Sequence, residues 1–108
     1  MIVDSPNSYW VKVYLAGPIE VAKQHIRKKA ATFGLCVTIE PTTYIYTGGE
    51  ETGYVIGLIN YPRFLKTFDQ IWLEGMALAH ELRAETGQLS FTIMAPDRVL
   101  WYSDKEQV

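Results

Sequence analysis

The side chains best suited to binding chemistry lie together where a predicted strand leaves the sheet, at Asn60, Tyr61 and Arg63. A guanidinium group binds a carboxylate or phosphate through two parallel contacts, and nearby phenols supply hydroxyl donors. We expect such groups to line a pocket between a sheet and its helices, formed by Tyr44, Tyr46, Tyr61, Arg63 and Trp72. The alternative is a proline-directed turn in which Arg63 pairs with a carboxylate such as Asp69.

The other charged groups show no complete catalytic or metal-binding pattern. The cations of the first predicted helix spread around its polar arc, which is typical of a solvated face, and a net charge of −2 gives no general attraction to nucleic acid. His25 and His80 have no second ligand at the spacing of one helical turn, so no metal is predicted. Glu74, Glu81 and Glu85 have helix-surface spacing, and we predict no catalytic residue and no cofactor.

Composition limits the class of protein. A chain of 108 residues that is 48% hydrophobic and 20% charged is typical of one globular domain. We expect a single domain over residues 1–108, with a flexible lead-in at 1–8 and a flexible tail at 103–108. The lone cysteine, Cys36, lies in a β-branched run and is predicted to be a core residue. With no secretory signal and no apolar run long enough for a membrane span, we expect a cytoplasmic protein.

Hydrophobic periodicity predicts the element order β-α-β-β-α-β. Strands are expected at 9–16, 35–46 with an interruption at Pro41, 54–61 and 89–95, with a turn at 47–53. The first helix starts at Pro18 and is expected to end at a Gly34 cap, and Thr67 and Gln70 have the spacing of a capping box for the second. The core-facing stripe of the first helix consists of Ile19, Ala22, Ile26, Ala30 and Phe33.

This order is the ferredoxin-like split βαβ pattern. It predicts an α+β two-layer sandwich in which two helices cover one face of a four-stranded antiparallel sheet. The segment 99–102 is expected either to add a short edge strand or to pack across the helices.

A sharp strand-to-helix junction is predicted where Tyr14-Leu15-Ala16-Gly17-Pro18 leaves the first strand. Free N–H groups at such a helix N-terminus can hold an anion. The same string resembles the opening of nucleoside deoxyribosyltransferases. That resemblance implies a larger parallel sheet and a carboxylate nucleophile in an acidic, glycine-containing segment, and the chain offers no counterpart to either. We therefore interpret the junction as a tight turn.

The first strand is apolar on both faces, with Val11, Val13 and Leu15 on one side and Trp10 and Tyr14 on the other. If the first set faces the helices, the helix-free face carries an apolar patch that needs cover. The residues predicted at this interface are Trp10, Lys12, Tyr14, Thr38, Glu40 and Met94.

A second copy in a two-fold dimer is the simplest cover, and the C-terminal segment or a foreign protein are the alternatives. RNA-recognition modules share the predicted topology and stack bases on the aromatics of their central strands. The third strand of this chain, at 54–59, lacks their Gly-Phe-rich basic signature, so we do not expect nucleic-acid binding.

Together these patterns favour a small non-catalytic binding or interaction protein that forms a homodimer, of the kind that phages and other mobile elements encode as accessory products. The alternative is a small-molecule-binding protein or small enzyme. The predicted architecture resembles that of dimeric α+β barrel proteins, and this resemblance implies sheet-to-sheet pairing and a pocket between sheet and helices. Some members of that family are oxygenases or isomerases.

Overall fold

The fold is a five-stranded antiparallel sheet with two helices packed against one face. A computed structural model describes residues 7–104, so residues 1–6 of the predicted lead-in and residues 105–108 of the predicted tail lie outside the described residues. The elements in chain order are β1 (Trp10–Ala16), α1 (Ile19–Thr32), β2 (Thr38–Tyr46), β3 (Gly49–Ile59), α2 (Phe68–Glu85), β4 (Ser90–Ala95) and β5 (Arg98–Ser103).

The sheet order is β2-β3-β1-β4-β5, which corrects the predicted four-stranded sheet. The first four strands lie in the order β2-β3-β1-β4, which is the order that two βαβ units produce. Strand β5 then pairs with the free edge of β4. The segment that was expected to add a strand or cross the helices is therefore an edge strand, and Ser103, predicted in the tail, pairs with Ser90. Strong β-propensity in Val99, Trp101 and Tyr102 explains why this segment extends the sheet.

The β2–β3 hairpin is longer and tighter than predicted. Only Thr47 and Gly48 form its turn, with Gly48 at a φ of 94°, and Glu50 and Glu51 are already paired in β3. Strand β2 also passes through Pro41 without a break. An edge strand tolerates proline because one row of its N–H groups needs no partner strand, and β2 is such an edge.

Helix α1 packs against the sheet at its start and diverges from it toward its end. Ala22 is fully buried and Ile26 is 9% exposed, whereas Ala30 is exposed and Phe33 is 65% exposed. The predicted core stripe is therefore correct for its first half and wrong for its second. Phe33, with extended backbone, ends the helix before Gly34, so the expected glycine cap is also wrong.

Helix α2, in contrast, packs against the sheet from Ile71 to Leu82. Its predicted capping box is present, since the Thr67 hydroxyl accepts from the Gln70 N–H and the Gln70 side chain accepts from the Thr67 N–H. A Cβ at Gly75 would lie 2.8 Å from Val11 Cγ1, so only glycine permits this close approach to β1. No helix in residues 7–104 is long and apolar enough to cross a membrane.

Candidate functional site

Where α1 diverges from the sheet, a cavity of about 310 Å³ opens beside α2, which we call the interhelical groove. Its floor comes from the end of β3 and its walls from the end of α1, the segment before β2, the 60–66 loop and the first turns of α2. The lining residues are Ala30, Phe33, Gly34, Leu35, Cys36, Leu58, Ile59, Tyr61, Phe64, Lys66, Ile71 and Glu74. Most of these side chains are apolar, and the few polar groups therefore stand out.

A half-buried ion pair joins the loop to α2 at the groove. Lys66 Nζ lies 2.5 Å from Glu74 Oε1 and donates to the Gly34 carbonyl at 3.0 Å. The loop itself is held in place because the Lys66 N–H donates to Asn60 Oδ1 at 3.1 Å and the Asn60 N–H donates to the Tyr9 carbonyl. A carboxylate fixed in this way, against apolar walls, is suited to a cationic or zwitterionic ligand.

Tyr61 is the phenol of the groove, and it lies next to Cys36. Burial raises the pKa of Tyr61 above its ordinary value, and its hydrogen bond with the Cys36 thiol raises it further. The phenol is therefore protonated at neutral pH and acts as a hydroxyl donor. Cys36 is exposed, which corrects its predicted core position; the chain leaves α1 here in extended form and never brings this residue under a helix.

A second cluster of charged side chains joins α1 to α2, beyond the apolar part of the interhelical groove. His25 Nε2 and Lys29 Nζ of α1 each lie 2.7 Å from a different oxygen of Glu81 on α2, and His25 Nδ1 lies 3.4 Å from Glu85. Burial alone would raise the pKa of Glu81, but the hydrogen bonds from Lys29 and His25 outweigh it and lower that pKa. Glu81 is therefore ionised at neutral pH.

The helix-free face of the sheet is a separate region. Cross-strand register places all six predicted interface residues on it, since Lys12 pairs with Met94 and Gly57, and Thr38 and Glu40 follow on β2. The face continues over Val55, Ile59, Val99 and Trp101. What covers it stays a prediction, although β5 widens this face rather than folding across it.

One tyrosine of the helix-free face has a strongly shifted pKa. Tyr44 lies over Gly53, and its hydroxyl donates to the Tyr54 carbonyl at 2.9 Å. Desolvation, with smaller repulsion from Tyr14 and Glu51, raises the pKa of Tyr44 to about 12. This phenol therefore stays neutral well beyond physiological pH.

The predicted pocket residues are dispersed in the structure. Tyr61 lines the groove, whereas Tyr44 lies on the helix-free face and Tyr46 beside Gly49 at the hairpin turn. The remaining two residues lie apart from each other. Arg63 stacks over the Phe64 ring, and Trp72 lies under the Arg98 guanidinium. The open alternative, Arg63 paired with Asp69, is not formed, and Asp69 lies instead 3.9 Å from Arg98. Ligand binding by Tyr61 stays a prediction.

The ion pair between Lys66 and Glu74 was not predicted from the sequence. Glu74 has the spacing of a solvated helix face, and Lys66 precedes the helix, so no local pattern links the two. Their contact depends on the path of the 60–66 loop. Among residues 7–104, no group of three or more His, Cys, Asp or Glu side chains could hold a metal ion.

Comparison with known proteins gives its only matches among solved structures. No protein-family model and no curated protein matches the chain. A phage SAM lyase in its apo state aligns with a TM-score of 0.66 and 16% identity, over 93% of this chain and 92% of that one. A phage SAM lyase in complex with S-methyl-5′-thioadenosine aligns with a TM-score of 0.64 and 14% identity, over 100% and 98%. At this identity the likeness shows a shared fold.

These comparisons contradict the predicted non-catalytic interaction protein. The neighbours that share the fold over nearly their whole length are enzymes, and one of them holds a small molecule. The finding favours the alternative expectation, a small-molecule-binding protein or small enzyme. Apolar surface on the sheet indicated association, but it carried no information about chemistry elsewhere on the chain.

Proposed function

We propose that this chain is an enzyme that cleaves S-adenosylmethionine (SAM) and releases S-methyl-5′-thioadenosine. The observation that carries the proposal is the fold match to phage SAM lyases over almost the full length of both chains. S-methyl-5′-thioadenosine is the part of SAM that remains when the bond between sulfur and the amino-acid chain breaks. The phage origin of both neighbours also supports the prediction of a phage or mobile-element protein.

The interhelical groove is the proposed binding site. Its volume of about 310 Å³ lies at the lower end of the range for small-molecule pockets, roughly 300 to 1,000 Å³. The apolar side chains of Leu35, Leu58 and Ile71 suit the purine ring and methylthio group of the ligand. Glu74, the carboxylate on the α2 wall, suits the positive sulfonium, and the Tyr61 hydroxyl suits a ribose oxygen.

The chemistry of the ligand explains why an apolar groove would accelerate its cleavage. When the bond between sulfur and the γ-carbon breaks, the electron pair stays on sulfur and the sulfonium becomes a neutral thioether. As this bond breaks, the four-carbon fragment either closes to a cyclic ester by attack of its own carboxylate on the γ-carbon or loses a β-proton to a base and forms an alkene. Positive charge is lost from sulfur on both routes, so a site with little water favours the transition state.

The two routes make different demands on the protein. Ring closure needs only that the groove hold the ligand's carboxylate close to the γ-carbon, a positioning effect. Loss of the β-proton needs a base, and Glu74 is the carboxylate in the groove that would accept it.

The test is incubation of the purified chain with SAM, followed by chromatography and mass spectrometry for S-methyl-5′-thioadenosine. SAM decomposes slowly by itself, so the rate is compared with that of a protein-free sample, and NMR of the four-carbon product distinguishes the cyclic ester from the alkene. We expect a protein-dependent rate with saturation in SAM. A rate equal to that of the protein-free sample would overturn the proposed function.

A matched pair of variants tests the location of the site. Glu74→Gln removes a carboxylate from the groove, and Glu51→Gln removes one from the β2–β3 hairpin. We expect the first to lower kcat/KM at least tenfold, since one charge-assisted contact contributes roughly 1.5 to 3 kcal/mol. We expect the second to leave kcat/KM within about twofold. The reverse pattern would move the site to the other region while leaving the proposed reaction intact.

A further inference from the structure

The β2–β3 hairpin extends beyond the rest of the sheet. The pairing of β1 with β3 ends at Ala16 and Gly53, whereas the β2–β3 ladder continues for four more pairs, between residues 43–46 and 49–52. At a rise of roughly 3.4 Å per residue, this two-stranded segment projects by about 14 Å. We call residues 43–52 the hairpin arm. The molecule is correspondingly elongated, with extents of 50 × 30 × 23 Å.

The side chains of the hairpin arm are uncovered. Ile45 is 79% exposed and Tyr46 is 53% exposed, and no side chain of the arm is buried against another part of residues 7–104. A hairpin of two strands is marginally stable in water unless a further surface packs on it. An apolar arm of this kind is therefore suited to docking on another surface.

The arm also carries carboxylates that have no cationic partner within residues 7–104. The ion pairs in this part of the chain leave three carboxylates unpaired, and all three lie on β2 and β3: Glu40, Glu50 and Glu51. The cations without a carboxylate partner lie on other segments, at Lys12, Arg27, Lys28 and Arg63. The unpaired charges of opposite sign are therefore separated in the fold.

One of these cations lies beside exposed apolar rings at a concave surface. The Arg63 guanidinium lies 5.7 Å from the centre of the Phe64 ring. Phe64 and Phe33 are both more than half exposed, and both line the interhelical groove. We call Phe33, Arg63 and Phe64 the aromatic rim. The arm has the matching pattern, because Ile45 and Glu50 lie directly opposite each other in the ladder and so share one face.

The hairpin arm and the aromatic rim lie at opposite ends of β3. The arm contains the start of this strand at Gly49, and the loop that carries Arg63 follows its end at Ile59. Ten residue steps at roughly 3.4 Å separate the two ends by about 34 Å. The arm therefore cannot reach the rim of its own chain, and its complement is the rim of another copy.

We propose that the hairpin arm docks on the aromatic rim of a second copy of this chain, with Ile45 between the rings of Phe33 and Phe64 and with Glu50 paired to Arg63. Because arm and rim lie at opposite ends of one strand, two antiparallel copies form both contacts at once, and each gives one arm and receives one. This contact is distinct from the predicted interface on the helix-free face, and it is independent of the proposed reaction.

A charge-reversal cycle tests the contact on the full chain. Sedimentation velocity over a concentration series measures association of the wild type, of Glu50→Lys, of Arg63→Glu and of the variant that carries both changes. All of these positions are exposed, and circular dichroism checks that each variant is folded. Arg27→Glu makes the same reversal on the exposed face of α1 and is the control.

We expect the wild type to associate and each single reversal to weaken association at least tenfold, because like charges then face each other across the contact. The double variant should return to within about threefold of the wild type, and the control should not differ from it. Ile45→Ser, which removes the apolar anchor from an exposed position, should also weaken association roughly tenfold.

Three results would overturn the proposed contact. The first is a wild type that stays monomeric over the whole series, and the second is a double variant that associates no more tightly than the single variants. The third is association that Trp10→Glu abolishes while Glu50→Lys and Ile45→Ser leave it intact, since this would assign the interface to the helix-free face.

Discussion

The interhelical groove and the helix-free face both expose apolar side chains, but their shapes and charges differ. The groove is concave, and its two ion pairs, Lys66–Glu74 and Lys29–Glu81, stand at the ends of an apolar wall. The helix-free face is one side of a pleated sheet with Trp10 and Tyr14 near its centre. A concave apolar surface with a few fixed charges is suited to a small molecule, whereas a broad apolar face is suited to another protein surface.

The two regions also arise from different causes. The helix-free face follows from strand alternation in β1, because every second side chain must point away from the helices. The groove follows from unequal helix packing: α2 approaches β1 closely at Gly75, while α1 leaves the sheet after Ile26. One surface is therefore a consequence of local pattern and the other of tertiary arrangement.

Filling the groove should give the largest effect. Cys36 is exposed on the groove wall, so Cys36→Trp adds a large ring to the cavity without disturbing the core. We expect SAM cleavage to fall about hundredfold, because the ring occupies much of a volume of about 310 Å³. The assay is release of S-methyl-5′-thioadenosine. Cys36→Ser, which keeps the space open, should retain activity; full activity in Cys36→Trp would show that the groove is not the site.

A charge on the helix-free face tests the other region. If this face pairs with a second copy, Trp10→Glu buries an unpaired carboxylate at the interface and should weaken association by at least roughly thirtyfold, the effect of losing an anchor worth about 2 kcal/mol. Solution mass by light scattering across a concentration series measures this change. Leu73→Glu, which adds the same charge at an exposed position of α2, is the control and should leave the mass unchanged. An unchanged mass in Trp10→Glu would contradict the predicted interface.

The smallest expected effect is on the free energy of unfolding at alkaline pH, and it concerns a buried tyrosine of the core between the two regions. Burial, with repulsion from Tyr44, raises the pKa of Tyr54 to about 12. Because the folded state holds this proton more tightly than the unfolded state, stability is fully present below about pH 10 and is lost as pH rises toward 12. Between pH 10 and 12 we expect the unfolding free energy of Tyr54→Phe to fall less steeply than that of the wild type. The slopes should differ by at most about 1.4 kcal/mol per pH unit, which corresponds to one proton.

Denaturant unfolding at several pH values measures this slope. At pH 7 the variant should be close to wild type in stability, because the buried Tyr54 hydroxyl makes no well-oriented hydrogen bond within residues 7–104. Tyr46→Phe, at an exposed position, is the control and should leave the slope unchanged. A Tyr54→Phe variant with the wild-type slope would show that this phenol ionises equally in both states.

Much of the fold was predictable because local patterns are strong in this chain. Thr67 and Gln70 cap α2 as expected, and Gly87 ends that region with a φ of 69°. The predictions are wrong where contacts between two elements determine the structure. The 47–53 segment looked like a long turn by composition, yet pairing between β2 and β3 extends the ladder to Gly49. Similarly, Ala30 and Phe33 have core spacing, but nothing in that spacing reveals that α1 leaves the sheet.

The candidate site was predictable only in fragments. Tyr61 was identified from its position after a strand, and it lines the groove; Lys66 and Glu74 were not paired, because their contact depends on a loop held by Asn60. The five predicted pocket residues share hydrogen-bonding or aromatic character, but residue type alone does not determine on which side of a sheet each one lies.

The sequence by itself determined the two-layer α+β architecture and the apolar helix-free face, because strand and helix periodicity sort side chains by face before any element packs. Tertiary structure alone decided the groove. It opens where α1 leaves the sheet, and its charges meet only when α1, α2 and the 60–66 loop converge. Contacts between distant elements carry no period along the chain, so this chemistry became visible only in three dimensions.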